Sequence, residues 1–329
     1  MNILLTSIGR RNYLIDFFNN ILKTKKIICI NSQEIFFSKS NLINFYKSPK
    51  TNSRKYIKFI LSIVKKNKIK LIIPLRDDDA LKLSNYNKCF KKLNITLISP
   101  TYSKTLLIRD KYKIKFLLKK NNINYPNTYI SKKTFFNDIK KKKIKYPVIL
   151  KPRYGSGSNL NYIASNKKEL NFFYQYISKK LKDYFIKKKS NYNVVIQDFI
   201  KGEEYNVDLI NSLDGSYHTH IIKKKIRMRS GETEAGYLSN LDVSHICLKL
   251  SEIIKHNFLL DIDLIFYNKK FYIIDINPRI GGGYPFSHIL GYNMLKFLLS
   301  QFYPKKIIYK KKLFNKKRFF LKTFKFLKN

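Results

Sequence analysis

The sequence predicts an α/β plus α+β chain, in which a parallel sheet comes first and mainly antiparallel sheets follow. In the first hundred residues, continuous apolar strands alternate with helices, which is typical of a parallel sheet covered on both faces. The later part instead carries hairpin signals such as Asp214-Gly215. Apolar residues make up 44% of the 329 residues, enough to build real cores, so a disordered polycation is excluded.

The first domain is predicted to span residues 1–100 and to be Rossmann-like. Its apolar strands are expected at 2–6, 26–31, 70–74 and 95–99, and its helices at 12–22 and 55–66. The turn from Thr6 to Arg11 lacks the GxGxxG spacing of a dinucleotide fingerprint, so NAD binding is not supported. Such a turn either holds an anion on its backbone N–H groups or is a plain tight turn.

The second domain is predicted over residues 101–303, followed by a basic segment over 304–329 that docks as a strand. A helix is expected over 106–120, and strands at 146–151, 194–200 and 203–210, with a hairpin formed by 261–267 and 271–275. A hinge between two lobes is expected near 197–204, where an apolar strand ends in a Lys-Gly turn.

The charge is extreme but evenly spread. The formal net charge is +46, and basic residues run through the whole chain rather than forming one stripe, so no specific nucleic acid is expected. Non-specific polyanion binding at low salt remains expected. Three widely spaced cysteines argue against a disulfide framework, and no apolar run reaches spanning length. We therefore expect a soluble, cytoplasmic protein without membrane contact.

A small-residue loop follows a strand that ends in a lysine. Gly155, Ser156, Gly157 and Ser158 come shortly after Lys151. Small residues allow a backbone to approach and cover a phosphate, and the lysine supplies a charge beside it. The GxxxxGK[ST] pattern of a P-loop is absent, and a Gly/Ser loop alone is more often only a loop.

Two carboxylates are predicted to face each other across the later hairpin. If its loop is the three residues 268–270, Asp263 opposes Asp275, and Asn277 shares the face of Asp275. Opposed like charges are destabilising without a cation, and these oxygens suit Mg²⁺ shared with substrate phosphates. A solvated face is the alternative, which the apolar surroundings of Asp275 disfavour. A loop of two or four residues is expected to break the pairing.

Further polar segments flank these strands. Arg279 follows Asn277 and precedes three glycines, so it is a candidate to fork a carboxylate or a phosphoryl group. Arg227 precedes a Ser-Gly turn, where a surface strand end is the alternative. The stretch from Gln197 through Glu204 offers backbone groups and carboxylates beside a strand end.

In their order along the chain, these segments resemble the ATP-grasp superfamily, and within it the carboxylate–amine ligases that are similar to carbamoyl phosphate synthase. The resemblance covers roughly residues 1–300. The segments that carry it are LLTSIGRRNYLIDFF, IIPLRDDDALKL, RDKYK, YPVILKPRYGSGS, VIQDFIKGEEYNVDL, KKIRMRSGE and YIIDINPRIGGG. It implies a two-lobed ATP-grasp domain after the Rossmann-like domain.

The resemblance also implies roles for individual residues. ATP phosphates are expected on Lys111, Lys151 and the loop Gly155, Ser156, Gly157 and Ser158. The adenine hinge is expected at Gln197, Asp198 and Ile200, with Glu204 on the ribose. Mg²⁺, or alternatively Mn²⁺, is expected on Asp263, Asp275 and Asn277. Arg227 and Arg279 are expected to face the transferred phosphoryl group. Asp275 and Gln197 stand where the family often has Glu, and Asp261 is an alternative to Asp263.

The implied reaction is the ATP-dependent activation of a carboxylate as an acyl-phosphate, which an amine or another nucleophile then attacks. The expected partners are small-molecule carboxylate and amine substrates and, as one option, a second copy of the chain. A polyanion-binding protein and an ATP-binding scaffold without activity are the competing hypotheses. The sequence does not identify the carboxylate or the nucleophile.

Overall fold

The computed structural model describes residues 1–22, 27–33, 43–155, 160–184, 193–229, 232–310 and 318–323. The strands are β1 (Asn2–Thr6), β2 (Ile27–Asn31), β3 (Ile43–Lys47), β4 (Ile69–Pro74), β5 (Thr96–Leu97), β6 (Thr128–Tyr129), β7 (Val148–Pro152), β8 (Tyr162–Ala164), β9 (Val194–Asp198), β10 (Glu203–Asn211), β11 (Tyr217–Arg229), β12 (Glu232–Leu238), β13 (Leu259–Tyr267), β14 (Lys270–Asn277) and β15 (Phe319–Leu321). The helices are α1 (Tyr13–Leu22), α2 (Tyr56–Lys66), α3 (Asp77–Ser84), α4 (Asn87–Lys92), α5 (Tyr102–Ile108), α6 (Ile114–Lys120), α7 (Lys132–Lys140), α8 (Lys167–Tyr184), α9 (Ser244–Ile254), α10 (Tyr284–Ile289) and α11 (Met294–Ser300).

The N-terminal sheet is parallel throughout and has the order β3-β2-β1-β4-β5. Successive residues of β1 serve opposite cores: Leu5 packs with Phe18 of α1 on one side, and Leu4 packs with Ile60 of α2 on the other. Burial on both faces explains why the strands are continuously apolar. β3 was not predicted, because its sequence INFYK mixes polar and apolar residues without a clear period.

Two antiparallel sheets follow, as the sequence predicts. One has four strands in the order β6-β9-β7-β8, and the other has six in the order β14-β13-β10-β11-β12-β15. The chain passes from the smaller to the larger sheet through only four residues, 199–202, between β9 and β10. The predicted fold class is confirmed: a parallel domain precedes a part of the chain built from two antiparallel sheets.

The six-stranded sheet has one apolar and one polar face. Along β10, Tyr205, Val207 and Leu209 belong to a buried hydrophobic cluster, whereas Asn206 and Asp208 alternate with them. Neighbouring strands continue both faces, because paired residues in adjacent strands point the same way. The polar face is therefore a property of several strands together, and it carries the candidate site.

The predicted helix over 106–120 is wrong in one respect, since it is broken into α5 and α6. The break contains Asp110, whose side chain accepts hydrogen bonds from the backbone N–H groups of Tyr112 and Lys113. Asp110 also binds Arg153 through two hydrogen bonds of 2.8 and 2.6 Å. Asp110 thus satisfies amides of the turn over 111–113 that separates the two helices, and α6 begins after that turn.

The basic end of the chain docks in part as a strand. β15 pairs antiparallel with β12, and Phe319 lies opposite Tyr237. Residues 311–317 and 324–329 lie outside the described residues, as do Ser156, Gly157 and Ser158 of the predicted phosphate loop. Within the ranges given above, no helix combines the length and the apolar character needed to cross a bilayer.

Candidate active site

The two lysines expected at the phosphates are brought together by one backbone contact. The N–H of Lys111 donates to the carbonyl oxygen of Arg153 over 3.1 Å, and Lys151 lies two residues earlier on β7. The Lys111 ammonium also donates to the carbonyl oxygen of Gly155 over 2.7 Å. The break between α5 and α6 thus delivers Lys111 to the end of β7, where the small-residue loop begins.

Asp263 and Asp275 are paired as predicted, but the turn of the hairpin differs from the predicted one. The turn has two residues, Asn268 and Lys269, both with positive φ, and Tyr267 pairs with Lys270. That turn alone shifts the register by one residue from the predicted pairing of Tyr267 with Phe271. A bulge between Leu264 and Asp263 then shifts it back, so that Asp263 does lie opposite Asp275. The three-residue loop is therefore wrong, and the pairing it predicted is right.

Each of the two carboxylates faces a lysine. The Lys111 ammonium lies 3.2 Å from Asp275, and the Lys225 ammonium lies 2.7 Å from Asp263. Lys225 extends from β11 and is also 3.6 Å from Glu204. The lysines therefore neutralise the charge that two opposed carboxylates would otherwise accumulate.

Burial and charge act differently on the buried lysines. Burial, helped by the nearby Lys111, lowers the pKa of Lys151 to about 8, against an opposing effect of Asp275. Burial also acts to lower the pKa of Lys225, but Asp263 and Glu204 outweigh it, so that pKa is raised. Among the described residues, the Lys151 ammonium has no hydrogen bond or ion pair. It is thus a buried positive charge near two carboxylates and available to an anion.

Asp261 and Asp263 have different surroundings. The oxygens of Asp261 accept from Asn206 at 2.7 Å and from Arg279 at 3.0 Å, and Asn277 lies at 3.4 Å. Burial raises the pKa of Asp261 to about 6, although Arg279 opposes that rise. The side chain of Asp263 is 20% exposed and that of Asp261 only 7%. Asp263 is therefore the more accessible carboxylate, whereas Asp261 is occupied by its hydrogen bonds from Asn206 and Arg279.

The two candidate arginines differ in environment. Arg279 is largely buried between Asp77 of α3, at 3.2 Å, and Asp261. Burial acts to lower its pKa, but the two carboxylates raise it above the ordinary value. Arg227 is 73% exposed on β11 and pairs at the surface with Glu234 at 3.4 Å. The described residues thus place Arg279 inside the site, whereas Arg227 lies on the surface.

The residues expected at the adenine hinge lie between the two antiparallel sheets. Gln197 is fully buried and donates to Thr128 over 2.8 Å, while its side-chain oxygen has no hydrogen-bond partner among the described residues. The Asp198 N–H donates to Asn127, and the Ile200 carbonyl accepts from Gly202. The carboxylate of Glu204 lies 3.6 Å from the ammonium of Lys225. Their roles toward a nucleotide stay predictions.

Sequence reasoning missed Asn206 and Lys225. Asn206 donates to both Asp261 and Asp263 and so holds the two carboxylates side by side, at 2.7 and 3.2 Å. Lys225 sits in a run of three lysines, whose composition does not indicate which one turns inward. The predicted Asp214-Gly215 turn was the usable signal, because it pairs β10 with β11 and sets Asn206 opposite Lys223.

The donor set fits a divalent cation shared with phosphates. Within the described ranges, no three or more histidine, cysteine or acidic side chains cluster closely enough to form a metal cage. Mg²⁺ in nucleotide enzymes usually takes only one or two carboxylates and completes its shell with phosphates and water. Asp263 and Asp275, opposed and each countered by a lysine, offer that number. Asn277 adds an amide on the face of Asp275.

A narrow cavity joins these groups to the N-terminal domain. Its lining comes from several elements and includes four charged residues, Asp77, Arg109, Lys111 and Asp275, together with Gly155, Ile276 and Asn277. Asp77 comes from α3, which follows the carboxyl end of β4. Carboxyl ends of parallel strands are where open α/β sheets bind ligands. The site therefore lies where the parallel domain meets the two antiparallel sheets.

Comparison with known families identifies the class. The ATP-grasp domain model matches residues 108–283, more than half of the chain, so the chain belongs to the ATP-grasp family. Residues 3–98 match the model of the PylC-like N-terminal domain. The resemblance predicted from the ordered sequence segments is thus confirmed.

Individual relatives make the likeness more specific. The large chain of carbamoyl phosphate synthase from Clostridium beijerinckii is 24% identical over 237 residues, covering 69% of this chain and 21% of that relative. An uncharacterized protein of Methanocaldococcus jannaschii is 30% identical over 207 residues, covering 61% of this chain and 48% of its own length. This chain therefore spans about a fifth of the length of the carbamoyl phosphate synthase chains that it matches.

Solved structures share the fold. The L-amino acid ligase of Bacillus licheniformis aligns with a TM-score of 0.71 at 18% identity, over 91% of this chain and 74% of that one. The biotin carboxylase domain of Hydrogenobacter thermophilus 2-oxoglutarate carboxylase, in a complex with MgADP and bicarbonate, aligns with a TM-score of 0.71 at 16% identity, over 94% and 71%. At these identities the likeness establishes the architecture alone.

Proposed function

We propose that this chain is an ATP- and Mg²⁺-dependent ligase that activates a carboxylate as an acyl-phosphate and joins it to an amine or another nucleophile. The observation that carries the proposal is the meeting of Lys111 and Lys151 with the opposed pair Asp263 and Asp275. Buried ammonium groups beside paired carboxylates suit a triphosphate with its cation. Membership in the ATP-grasp family supports the same reading.

The lysines act first by binding phosphate. Lys151 is buried without a hydrogen bond or ion pair to any described residue, so an incoming phosphate oxygen gives it a partner. Lys111 pairs with Asp275 and with the carbonyl of Gly155, and it can exchange the carboxylate for a phosphate oxygen. Adenine is expected at Gln197, Asp198 and Ile200, and the ribose at Glu204.

Once Lys111 has moved to the phosphate, Asp275 is available to a cation beside Asp263. Asp263 and Asp275, with Asn277, would hold Mg²⁺, with Mn²⁺ as an alternative; the cation, when bound, supplies positive charge that neutralises the phosphates during transfer. No side-chain nucleophile is required, because phosphoryl transfer depends mainly on positioning and on charge stabilisation. Arg279 is buried against Asp261, two residues from Asp263 on β13, and we assign it the stabilisation of the transferred group.

The direct test is ADP release from ATP and Mg²⁺ with a panel of amino acids and small dicarboxylates. We expect one substrate class to stimulate release, and Lys151→Met and Asp275→Asn to lower the rate by about 100-fold or more. Lys145→Met and Glu252→Gln are matched controls, because both side chains are exposed. Their rates should equal that of the wild type.

Three results would contradict the proposal. Full activity in both Lys151→Met and Asp275→Asn would remove the site from the chemistry. ATP binding without turnover across the whole panel would favour an inactive ATP-binding scaffold instead. Selective binding of one nucleic acid at physiological salt would favour the competing polyanion hypothesis, whereas binding that disappears with salt would be the non-specific effect expected from the charge.

A further inference from the structure

Arg279 is held from two sides by carboxylates that belong to different parts of the fold. Its Nε lies 3.2 Å from Asp77 in the first turn of α3, and its Nη1 lies 3.0 Å from Asp261 on β13. Nη1 also donates to the carbonyl oxygen of Ile280 over 3.2 Å. Asp77 is 6% exposed and Asp261 5% exposed, so water screens neither contact strongly.

The geometry leaves one nitrogen of the guanidinium free for another partner. Nη2 of Arg279 makes no hydrogen bond to any residue that the structure describes. Hydrogen bonds at Nη1 and the ion pair between Nε and Asp77 together orient the guanidinium, and because the group is planar and rigid they also set the position of Nη2. The two carboxylates thus determine where the remaining donor points.

The loop that carries Arg279 is pressed against the same carboxylate. A Cβ at Gly281 would lie 2.2 Å from an oxygen of Asp261, so only glycine allows this approach. Further along, the carbonyl of Gly283 accepts from Lys223 at 3.1 Å, and Lys223 also binds Asp208 at 2.5 Å. The ATP-grasp side of the arginine is therefore anchored firmly, and Asp77 is the contact that comes from the parallel domain.

We propose that Asp77 is a positioning residue for Arg279, so that the Rossmann-like domain completes the phosphoryl-transfer site of the ATP-grasp domain. The inference rests on the proposed function. Asp77 lines the same narrow cavity as Lys111, Asp275 and Asn277, yet its ion pair is with the arginine. It acts by fixing the guanidinium plane, which is useful only if that plane must match a transferred group.

This role predicts a particular kinetic signature. Lys111 pairs with Asp275 and Lys225 pairs with Asp263, so we expect loss of the Asp77 charge to leave ATP affinity unchanged. A guanidinium that is free to rotate should lower kcat, because it meets the transferred group in the wrong orientation. A purely structural role would instead lower stability and leave kcat of the folded fraction unchanged.

The experiment compares Asp77→Asn with Asp78→Asn in the full chain. Asp78 is the next residue of the same helical turn, but its side chain is 56% exposed and pairs with Arg76 and Arg109. We expect Asp77→Asn to lower kcat by about tenfold or more with unchanged nucleotide Kd, Asp78→Asn to match the wild type, and Asp77→Glu to restore part of the loss. In an Arg279→Lys background, Asp77→Asn should have little further effect on kcat.

The outcomes separate the inference from the proposed function. If the wild type turns over ATP and Asp77→Asn keeps its kcat, the inference fails and the proposed function stands. Additive losses in Asp77→Asn and Arg279→Lys, or a weaker nucleotide Kd in Asp77→Asn, would also overturn it. If the wild type shows no turnover with any carboxylate, both fall together. Should Asp77→Asn not fold, Asp77→Glu replaces it, because the extra methylene displaces the carboxylate from Arg279: a kcat below that of the wild type at unchanged nucleotide Kd supports the inference, and an unchanged kcat overturns it.

Discussion

Lys225 illustrates how a residue without a recognisable motif can shape the candidate site. It lies in the run Lys223 to Lys225, and only the pairing of β10 with β11 separates its environment from that of its neighbour. Lys225 faces Asp263 on the polar side of the sheet, whereas Lys224 pairs with Glu203 at the surface. The three lysines are equivalent in composition, but the strand register gives each a different carboxylate partner.

Replacing Lys225 by Met should expose this difference. The variant leaves the carboxylate of Asp263 without its counter-ion, so we expect the free energy of unfolding without metal to fall by about 1–3 kcal/mol. The same vacancy should make Mg²⁺ stabilise the variant more than the wild type. Urea denaturation with and without Mg²⁺ measures both effects.

Lys224→Met is the matched control, because its ion pair with Glu203 is at the surface and should change stability by about 0.5 kcal/mol or less. Equal stability losses in the two variants, or no added effect of Mg²⁺ on Lys225→Met, would show that Lys225 does not neutralise a metal-binding carboxylate.

At the scale of single residues, the order of the sequence motifs predicted much of the candidate site. The remaining residues are defined by contacts with neighbouring strands or domains. Lys151, Asp263 and Asp275 were found because charged residues at the ends of apolar strands are conspicuous. Asn206 was not found, and Asp77 belonged to the segment IIPLRDDDALKL without a role of its own, because the importance of both depends on which strand or domain lies beside them. Such contacts are long in sequence and have no local signature.

At the scale of elements, the β13–β14 hairpin was likewise predicted only in part. Alternation along the two strands predicted that Asp263 and Asp275 share a face, but neither the two-residue turn nor the bulge was evident. Asn268 and Lys269 both adopt positive φ, of 48° and 59°. Lys269 stands where the common Asn-Gly turn has glycine, so the usual sequence signal for a two-residue turn was absent. A lysine in this conformation is also strained relative to glycine.

The turn offers a prediction about stability. Lys269→Gly should raise the free energy of unfolding by about 0.5–1 kcal/mol, because glycine adopts positive φ without steric cost and Asn-Gly favours this turn. Lys269→Val should lower it, since a branched side chain tolerates that conformation poorly. Thermal unfolding of the two variants beside the wild type provides the measurement. The reverse order of stability would contradict the two-residue turn.

At the scale of the whole molecule, the parallel domain and the antiparallel part were separable from sequence because their strands differ in pattern. What could not be predicted is how the parts meet, since Asp77 and Arg279 are 202 positions apart by their numbers, 279 − 77. The net charge of +46 likewise predicts self-repulsion and weak polyanion binding, but it does not locate the site.

Acid should destabilise the folded chain through His256. The side chain is fully buried between Asn211 and the carbonyl oxygen of Leu209, and burial lowers its pKa to about 3. An unfolded histidine binds a proton near pH 6.5, whereas the folded one does not. Stability is therefore present above that pH and is lost progressively as the pH falls toward 3.

Urea denaturation across pH 3 to 8 measures this dependence. His256→Gln should make the curve flatter below about pH 6.5, whereas His245→Gln, at an exposed position, should leave its shape unchanged. Burial also lowers the pKa of His288, to about 4, so part of the acid dependence should persist in the variant. An identical curve in His256→Gln and the wild type would contradict this assignment.

The convergence of a triphosphate, a divalent cation and an acidic pair in one cleft is tested most directly by a crystal structure with Mg²⁺ and a non-hydrolysable ATP analogue. We predict phosphate oxygens within hydrogen-bond distance of the ammonium groups of Lys111 and Lys151, and a cation bound by Asp263 and Asp275. A nucleotide bound elsewhere, or one whose phosphates lie away from both lysines, would contradict the account.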